Sequence, residues 1–93
     1  MNEFEWDINK SHSNLAKHGI SFEEASTVLY DDFARIIADP DHSINEERWL
    51  ILGYSVKNRL LAISFTDRKD KIRIKNARKA TKYERKQYEE FKK

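Results

Sequence analysis

Three strand-like segments follow one another in the middle of this chain with no helix between them, and that arrangement narrows the fold more than any other feature. Residues 48–55 and 59–66 are rich in β-branched and aromatic residues and are joined around Lys57-Asn58. After the turn Asp67-Arg68-Lys69-Asp70, the run Lys71-Ile72-Arg73-Ile74-Lys75 alternates isoleucine with cation, the period of a strand with one apolar face. Strands joined by short turns pair antiparallel, whereas parallel neighbours need a crossover of roughly a dozen residues or more. A shorter strand candidate, residues 34–38, stands ahead of them. It is followed by strong turn chemistry in Asp39-Pro40-Asp41-His42-Ser43. The spacing predicts an antiparallel meander and argues against a parallel sheet.

Helical signals flank the meander. After a short alternating piece, Phe4-Glu5-Trp6, Asp7 suits an N-cap, and Ile8, His12 and Leu15 recur at helical spacing. Lys17-His18-Gly19 closes that helix with cations in the last turn and a glycine after it. Ser21-Phe22-Glu23-Glu24 has the form of a capping box and opens a second helix to about Tyr30, packing Phe22, Ala25, Val28 and Leu29. Thr81-Lys82-Tyr83-Glu84 repeats the capping pattern for a last helix, with Tyr83, Tyr88 and Phe91 roughly on one stripe. The expected fold is α+β: two N-terminal helices, an antiparallel β-sheet meander and a C-terminal helix, in one domain spanning residues 1–93.

Composition limits the chemistry. The chain has no cysteine, and His12, His18 and His42 lack metal-ligand spacing, so neither disulfides nor a metal site are expected. Its first residues are acidic and broken rather than basic and apolar, and no run approaches the ~20 apolar residues of a membrane span, so a cytoplasmic protein without a membrane partner is expected. The net charge of +2 hides a division. Residues 1–67 carry 6 Lys/Arg against 12 Asp/Glu, and residues 68–93 carry 12 against 4. Such asymmetry suits a polyanion partner for the C-terminal part, or simply a well-solvated face.

The richest segment runs from Ile72 to Lys82 and holds Arg73, Lys75, Arg78, Lys79 and Lys82. An ideal strand sets Arg73 and Lys75 on one face about 6.6 Å apart, a spacing suited to successive phosphates, and the helix start near Thr81 adds positive potential. Edge strands also carry such cations merely to discourage aggregation, so both readings stand at this point. His18 is either a proton carrier or a cation satisfying the helix end. Glu47 and Arg48 open a strand, where an ion pair is the plain alternative, and Trp6 and Trp49 suit core anchors better than base-stacking platforms. No glycine-rich phosphate loop, nucleophilic serine elbow or zinc-protease helix is present. Any catalysis would therefore run on Arg, Lys, His, Tyr or Glu, without a cofactor.

The order of residues resembles a known family, the BrnT toxins. The resemblance is carried by Phe4-Glu5-Trp6-Asp7, Asn14-Leu15, Lys17-His18-Gly19 and Phe22-Glu23-Glu24-Ala25. It continues through Asp39-Pro40-Asp41-His42, Glu47-Arg48, Gly53-Tyr54-Ser55, Arg59-Leu60-Leu61, Ile72-Arg73-Ile74 and Ala77-Arg78-Lys79-Ala80-Thr81, with Glu84 and Tyr88. It covers almost the whole chain and is specific in its order rather than in any one piece. The chain departs from the pattern at Lys79, where the family often has a second arginine, and at Lys75, usually a more apolar position.

The resemblance implies a RelE-like ribonuclease fold, metal-independent RNA cleavage that inhibits translation, and a neighbouring BrnA-like antitoxin. The antitoxin's ribbon-helix-helix part would bind operator DNA, so the toxin would reach DNA only through it. RNA brings its own nucleophile, the 2′-OH, and a cleaver must position it, move protons and neutralise the phosphate. On this reading Arg48 and Arg78 stabilise the transition-state charge. His18 or Glu47 handles protons with Lys17 as an electrostatic aid, and Arg73, Lys75, Lys79 and Lys82 hold the RNA. The alternative is a non-catalytic RNA-binding or protein-interaction module using the same basic face. A directly DNA-binding regulator is disfavoured, since no helix-turn-helix pattern is visible.

Overall fold

A computed structural model describes residues 3–38 and 48–92. The described elements are β1 (Glu3–Glu5), α1 (Ile8–His18), α2 (Phe22–Ser26) with a following 3-10 turn (Thr27–Tyr30), β2 (Arg35–Ala38), β3 (Trp49–Tyr54), β4 (Leu60–Arg68), β5 (Lys71–Lys79) and α3 (Lys82–Lys92). The Asp39-to-Ser43 turn and Glu47 lie outside the described residues. The strands form one five-stranded sheet in the order β1-β5-β4-β3-β2. From β2 to β5 it is the expected antiparallel meander. The expectation of a purely antiparallel sheet is corrected at one edge, where β1 pairs parallel with β5, Phe4 opposite Ile72. All of α1 to β4 lies between these two strands, so the connection is long enough to permit either direction.

The helix ends form as their residues dictate. Asp7 accepts from the backbone N–H of Asn9 and Lys10 at the start of α1, and Gly19 closes it at φ 72°, its N–H bonded to the Leu15 carbonyl. The Thr81–Glu84 box is reciprocal: Glu84 N donates to Thr81 Oγ1 at 3.1 Å, and Thr81 N donates to Glu84 Oε1 at 2.9 Å. The Ser21 box is only half formed. Ser21 Oγ accepts from Glu24 N at 3.0 Å, but the Glu24 carboxylate turns inward to Ser55 and Arg59.

One sheet face packs under α1, α2 and the 3-10 turn, gathering Ile20, Phe22, Ala25, Val28, Ile51, Leu61, Ile63, Phe65, Ile72, Ile74 and Ala77, with Trp6 and Trp49 at its margin. Trp6 meets Phe22 edge to face at 6.0 Å. The other face holds Leu52, Leu60 and Ala62 under Tyr88 of α3. The second helix does not run unbroken to Tyr30. It tightens to 3-10 geometry at Thr27, where it presses on β3 so closely that a Cβ at Gly53 would meet Val28 Cγ1 at 2.6 Å. Leu29 is left exposed.

Two amphipathic stripes differ from those the periodicity suggested. In α3, Glu84 and Tyr88 face the sheet, whereas Tyr83 is 71% exposed and Phe91 lies under the Arg35 guanidinium, 4.9 Å from the ring centre. In α1, Ile8 and Leu15 are 58% and 49% exposed, and the inward face carries Ser11 and Asn14. The reason is a hydrogen-bond demand that outweighs apolar burial. Among the described residues, β1 pairs with β5 only at Lys71, Ile72 and Arg73, and no strand covers the outer edge of β5 beyond them. Asn14 takes that place: its Nδ2 donates to the Ala77 carbonyl at 2.8 Å and to the Ile20 carbonyl at 2.9 Å, and its Oδ1 accepts from Ala77 N at 3.1 Å.

Three carboxylates pin the remaining turns. The Arg59 guanidinium, aided by Ser55 Oγ and opposed by burial, holds the Glu24 carboxyl below the ordinary 4.5. Burial pushes Asp31 up, but the Tyr88 hydroxyl at 2.5 Å and the backbone N–H of Tyr54 and Phe33 outweigh it and leave Asp31 below 3.8. Arg78, again against burial and with help from Thr81, holds Glu84 below 4.5. Tyr88 itself is pushed well above the usual tyrosine range by burial and by the Asp31 carboxylate.

Two outcomes are expected. Asn14→Leu strands three buried backbone groups and should destabilise the fold by about 3–5 kcal/mol, lowering Tm on the order of 15–30 °C; a loss under about 1 kcal/mol in urea unfolding would remove Asn14 from this role. Because the three carboxylates have folded pKa values below their unfolded ones, their contribution is complete above about pH 4.5 and is lost as pH falls through the folded values. The urea midpoint should therefore drop on acidification below about pH 4.5, and Glu84→Gln should flatten that drop. An unchanged midpoint down to about pH 3 would refute it.

Candidate nucleic-acid interface

The bond from Asn14 to Ala77 fixes α1 along the outer edge of β5 and brings the end of the helix to the middle of that strand. There the sheet register shifts: Ser64 faces Asn76 and Phe65 faces Ile74, so Lys75 is the extra residue of a β-bulge. The bulge breaks the alternation that would have set Arg73 and Lys75 side by side. Lys75 instead lines a cleft of about 250 Å³ with Lys10, Ser13, Asn14, Lys17 and His18 of α1 and Asn76 of β5. Arg73 extends toward β1, where its Nη1 meets Glu5 Oε2 at 3.3 Å. The structure thus joins Lys17, His18 and Lys75 and separates Arg73 from them. No carboxylate among the described residues lines the cleft, and Lys17 and His18 occupy the last turn of α1.

Lys79, four residues along β5, lines a second and larger cleft of about 430 Å³, with Tyr54, Asn58, Arg59, Leu60, Ala80 and Arg85. Arg59 is held there by the buried Glu24 carboxylate and by the Gly19 carbonyl, which accepts from Arg59 Nη2 at 3.2 Å. Gly19 directly follows His18, so the two clefts flank the end of α1. Arg59, Arg85 and Asn14 were not among the residues the sequence singled out for this site. Arg59 and Asn14 sit within the family-like segments, but their partners are distant in sequence and leave no local pattern.

The other candidates are more dispersed. Arg78 donates from Nη1 and Nη2 to the two Glu84 carboxylate oxygens at 2.7 and 2.9 Å, a bidentate pair with Glu84 largely buried. It therefore anchors the start of α3, and its loss would not be the small stability change expected of a surface arginine. Lys82 is exposed as the first residue of α3. Arg48 is half-buried just ahead of β3, two strands from β5 and near the row of Phe65 and Ile74, roughly 10 Å away by strand spacing. Glu47 is outside the described residues.

No curated protein matches this chain. Among solved structures, the ribonuclease toxin BrnT of Brucella abortus is similar, with a TM-score of 0.67 and 20% sequence identity over 88% of this chain and 100% of that one. At that identity the likeness speaks for the fold: three helices on a five-stranded mixed sheet. The family model described as the ribonuclease toxin BrnT of type II toxin–antitoxin systems matches residues 6–84, most of the chain, and the chain belongs to that family.

Proposed function

We propose that this toxin cleaves RNA without a metal, at the cleft between the end of α1 and the bulge of β5, and thereby inhibits translation. The observation that carries the reading is the convergence of Lys10, Lys17, His18 and Lys75 on one concavity whose wall holds no carboxylate among the described residues. In the proposed reaction the 2′-oxygen attacks the adjacent phosphorus and the bond to the 5′-oxygen breaks. One group accepts the 2′ proton, and the leaving oxygen gains one. His18 is suited to the proton transfers because a histidine changes charge near neutral pH. Lys17 and Lys75 are suited to neutralising the crowded phosphate in this cleft.

The remaining candidates receive graded roles. Glu47 keeps its role as the rival proton carrier. Arg48 and Arg73 contact the RNA backbone toward the other end of the sheet, and Lys79 and Lys82 do so beyond the bulge. Arg78, already engaged by Glu84, acts as a positioning residue: it holds the turn that carries Lys79 and Lys82. The family type implies an antitoxin partner and an RNA target. We infer that the partner is a BrnA-like protein whose ribbon-helix-helix part binds operator DNA, that the complex works in the cytoplasm, and that the fold is the RelE-like one.

Incubation of a single-stranded RNA with the pure protein in excess EDTA tests the core of this reading. Cleavage should persist with chelator, and His18→Ala should slow the single-turnover rate by about 10²–10⁴ with thermal unfolding little changed. Binding without cleavage in the wild-type protein would leave an RNA-binding module instead, and cleavage that stops with EDTA would overturn metal independence. Affinity for that RNA should also fall with salt: if about three to five phosphates are neutralised, the log–log slope is roughly −2 to −3.5. A flat response would mean that the cations only solvate the surface.

A further inference from the structure

We propose that the second cleft, between the β3–β4 turn and the start of α3, is a nucleotide-binding subsite that holds the RNA next to the scissile position. This rests on the RNA-cleaving reading above, shares Lys79 with it, and extends it to Tyr54, Asn58, Arg59 and Arg85, which that reading does not use.

Three cations, Arg59, Lys79 and Arg85, converge on the cleft, and no carboxylate among the described residues lines it. Its volume of about 430 Å³ falls within the roughly 300–1,000 Å³ of small-molecule sites. Two of the cations are preset. Arg59 is fixed through Nε and Nη2 by Glu24 and the Gly19 carbonyl, which leaves Nη1 for a ligand, and Arg85 Nη1 lies 3.2 Å from the Tyr54 hydroxyl. A guanidinium oriented by a buried carboxylate loses little freedom when it binds a phosphate, which favours a bound anion over mere solvation.

The cleft also has the parts that recognise a base. Tyr54 is half-buried, braced edge to face against Tyr88 at 5.5 Å, and offers an aromatic ring at the wall. Asn58 presents an amide from a left-handed turn residue at φ 60°. An aromatic ring beside cations is the pairing by which proteins hold single-stranded RNA: stacking for the base, charge for the backbone. The location agrees with this. Lys79 is four residues from Lys75 along β5, about 13 Å on an extended strand, and Arg59 touches the residue that follows His18. A short oligonucleotide lying over the first cleft reaches the second.

The test is titration of the full-length protein with a nucleoside 5′-monophosphate, read by amide chemical-shift changes, with inorganic phosphate in parallel. Saturable shifts are expected around Tyr54, Asn58 and Lys79, larger with the nucleotide than with phosphate. Arg85→Glu and Lys79→Glu should each weaken binding about tenfold; both side chains are exposed, so the fold is not at stake. His18→Ala should bind the nucleotide as the wild type does, even if it no longer cuts RNA, so failure of the cleavage reading and failure of the subsite are read separately. Equal response to phosphate and nucleotide would reduce the cleft to an anion site and overturn base recognition. Absence of any shift there would overturn the subsite altogether.

Discussion

The side chain of Asn14 does for β5 what a neighbouring strand would otherwise do. An amide carries a donor and an acceptor in the same relation as a peptide group, so it can meet both the N–H and the carbonyl of Ala77. The same Nδ2 also holds the Ile20 carbonyl and so fixes the chain as it leaves α1. Each of these backbone groups is buried, and leaving any one unpaired would cost more than the bond itself contributes. Position and orientation of α1 follow from this contact. With α1 so fixed, Lys17 and His18 of its last turn line the cleft beside the bulge of β5.

The charges of the chain are divided by use as well as by sequence. Three of its acids are engaged by the fold: Glu24 under Arg59, Asp31 under Tyr88 and the start of the Phe33 turn, Glu84 under Arg78 and Thr81. Arginines whose forks match a carboxylate are engaged by these acids and become structural fixtures. Lysines, which make poorer forks but good point charges, line the clefts at Lys10, Lys17, Lys75 and Lys79. The −6 and +8 halves of the chain therefore do not translate into one acidic and one basic face. The acidic half is partly spent on orienting arginines, and its own Lys10, Lys17 and Arg59 join the basic surface.

Much of the fold was legible because its signals are local. Asp7, Gly19, Ser21 and the Thr81–Glu84 pair act on backbone groups within a turn, and the Ile72/Ile74 alternation reports the core face directly. What the sequence did not disclose depends on partners far along the chain. Asn14 and Ala77 are 63 residues apart, so the rule that apolar residues face inward put Ile8 and Leu15 on the wrong side of α1. The parallel pairing of β1 spans the whole meander. The bulge at Lys75 changes the facing of one residue without altering the apparent pattern. The pairing of Arg78, read as a group for the transition-state charge, left no local mark because Glu84 was read only as a helix cap, whereas its carboxylate serves the cap and the guanidinium together.

The two clefts share a boundary at the end of α1. Gly19 and Ile20 form the short bridge between them, with the Gly19 carbonyl bonded to Arg59 on the side of the second cleft and the Ile20 carbonyl bonded to Asn14 on the side of the first. Arg59 is in turn held by Glu24, which α2 carries inward because Ser21 caps that helix. A shift of this bridge would move His18 relative to Lys75 and Arg59 relative to Lys79 at the same time. The left-handed turn at Gly19 makes the bridge possible: a residue with a Cβ would meet no neighbour there but would resist φ 72°. Backbone geometry at one glycine thus sets the separation between the residues proposed to act on the phosphate and those proposed to hold the adjoining nucleotide.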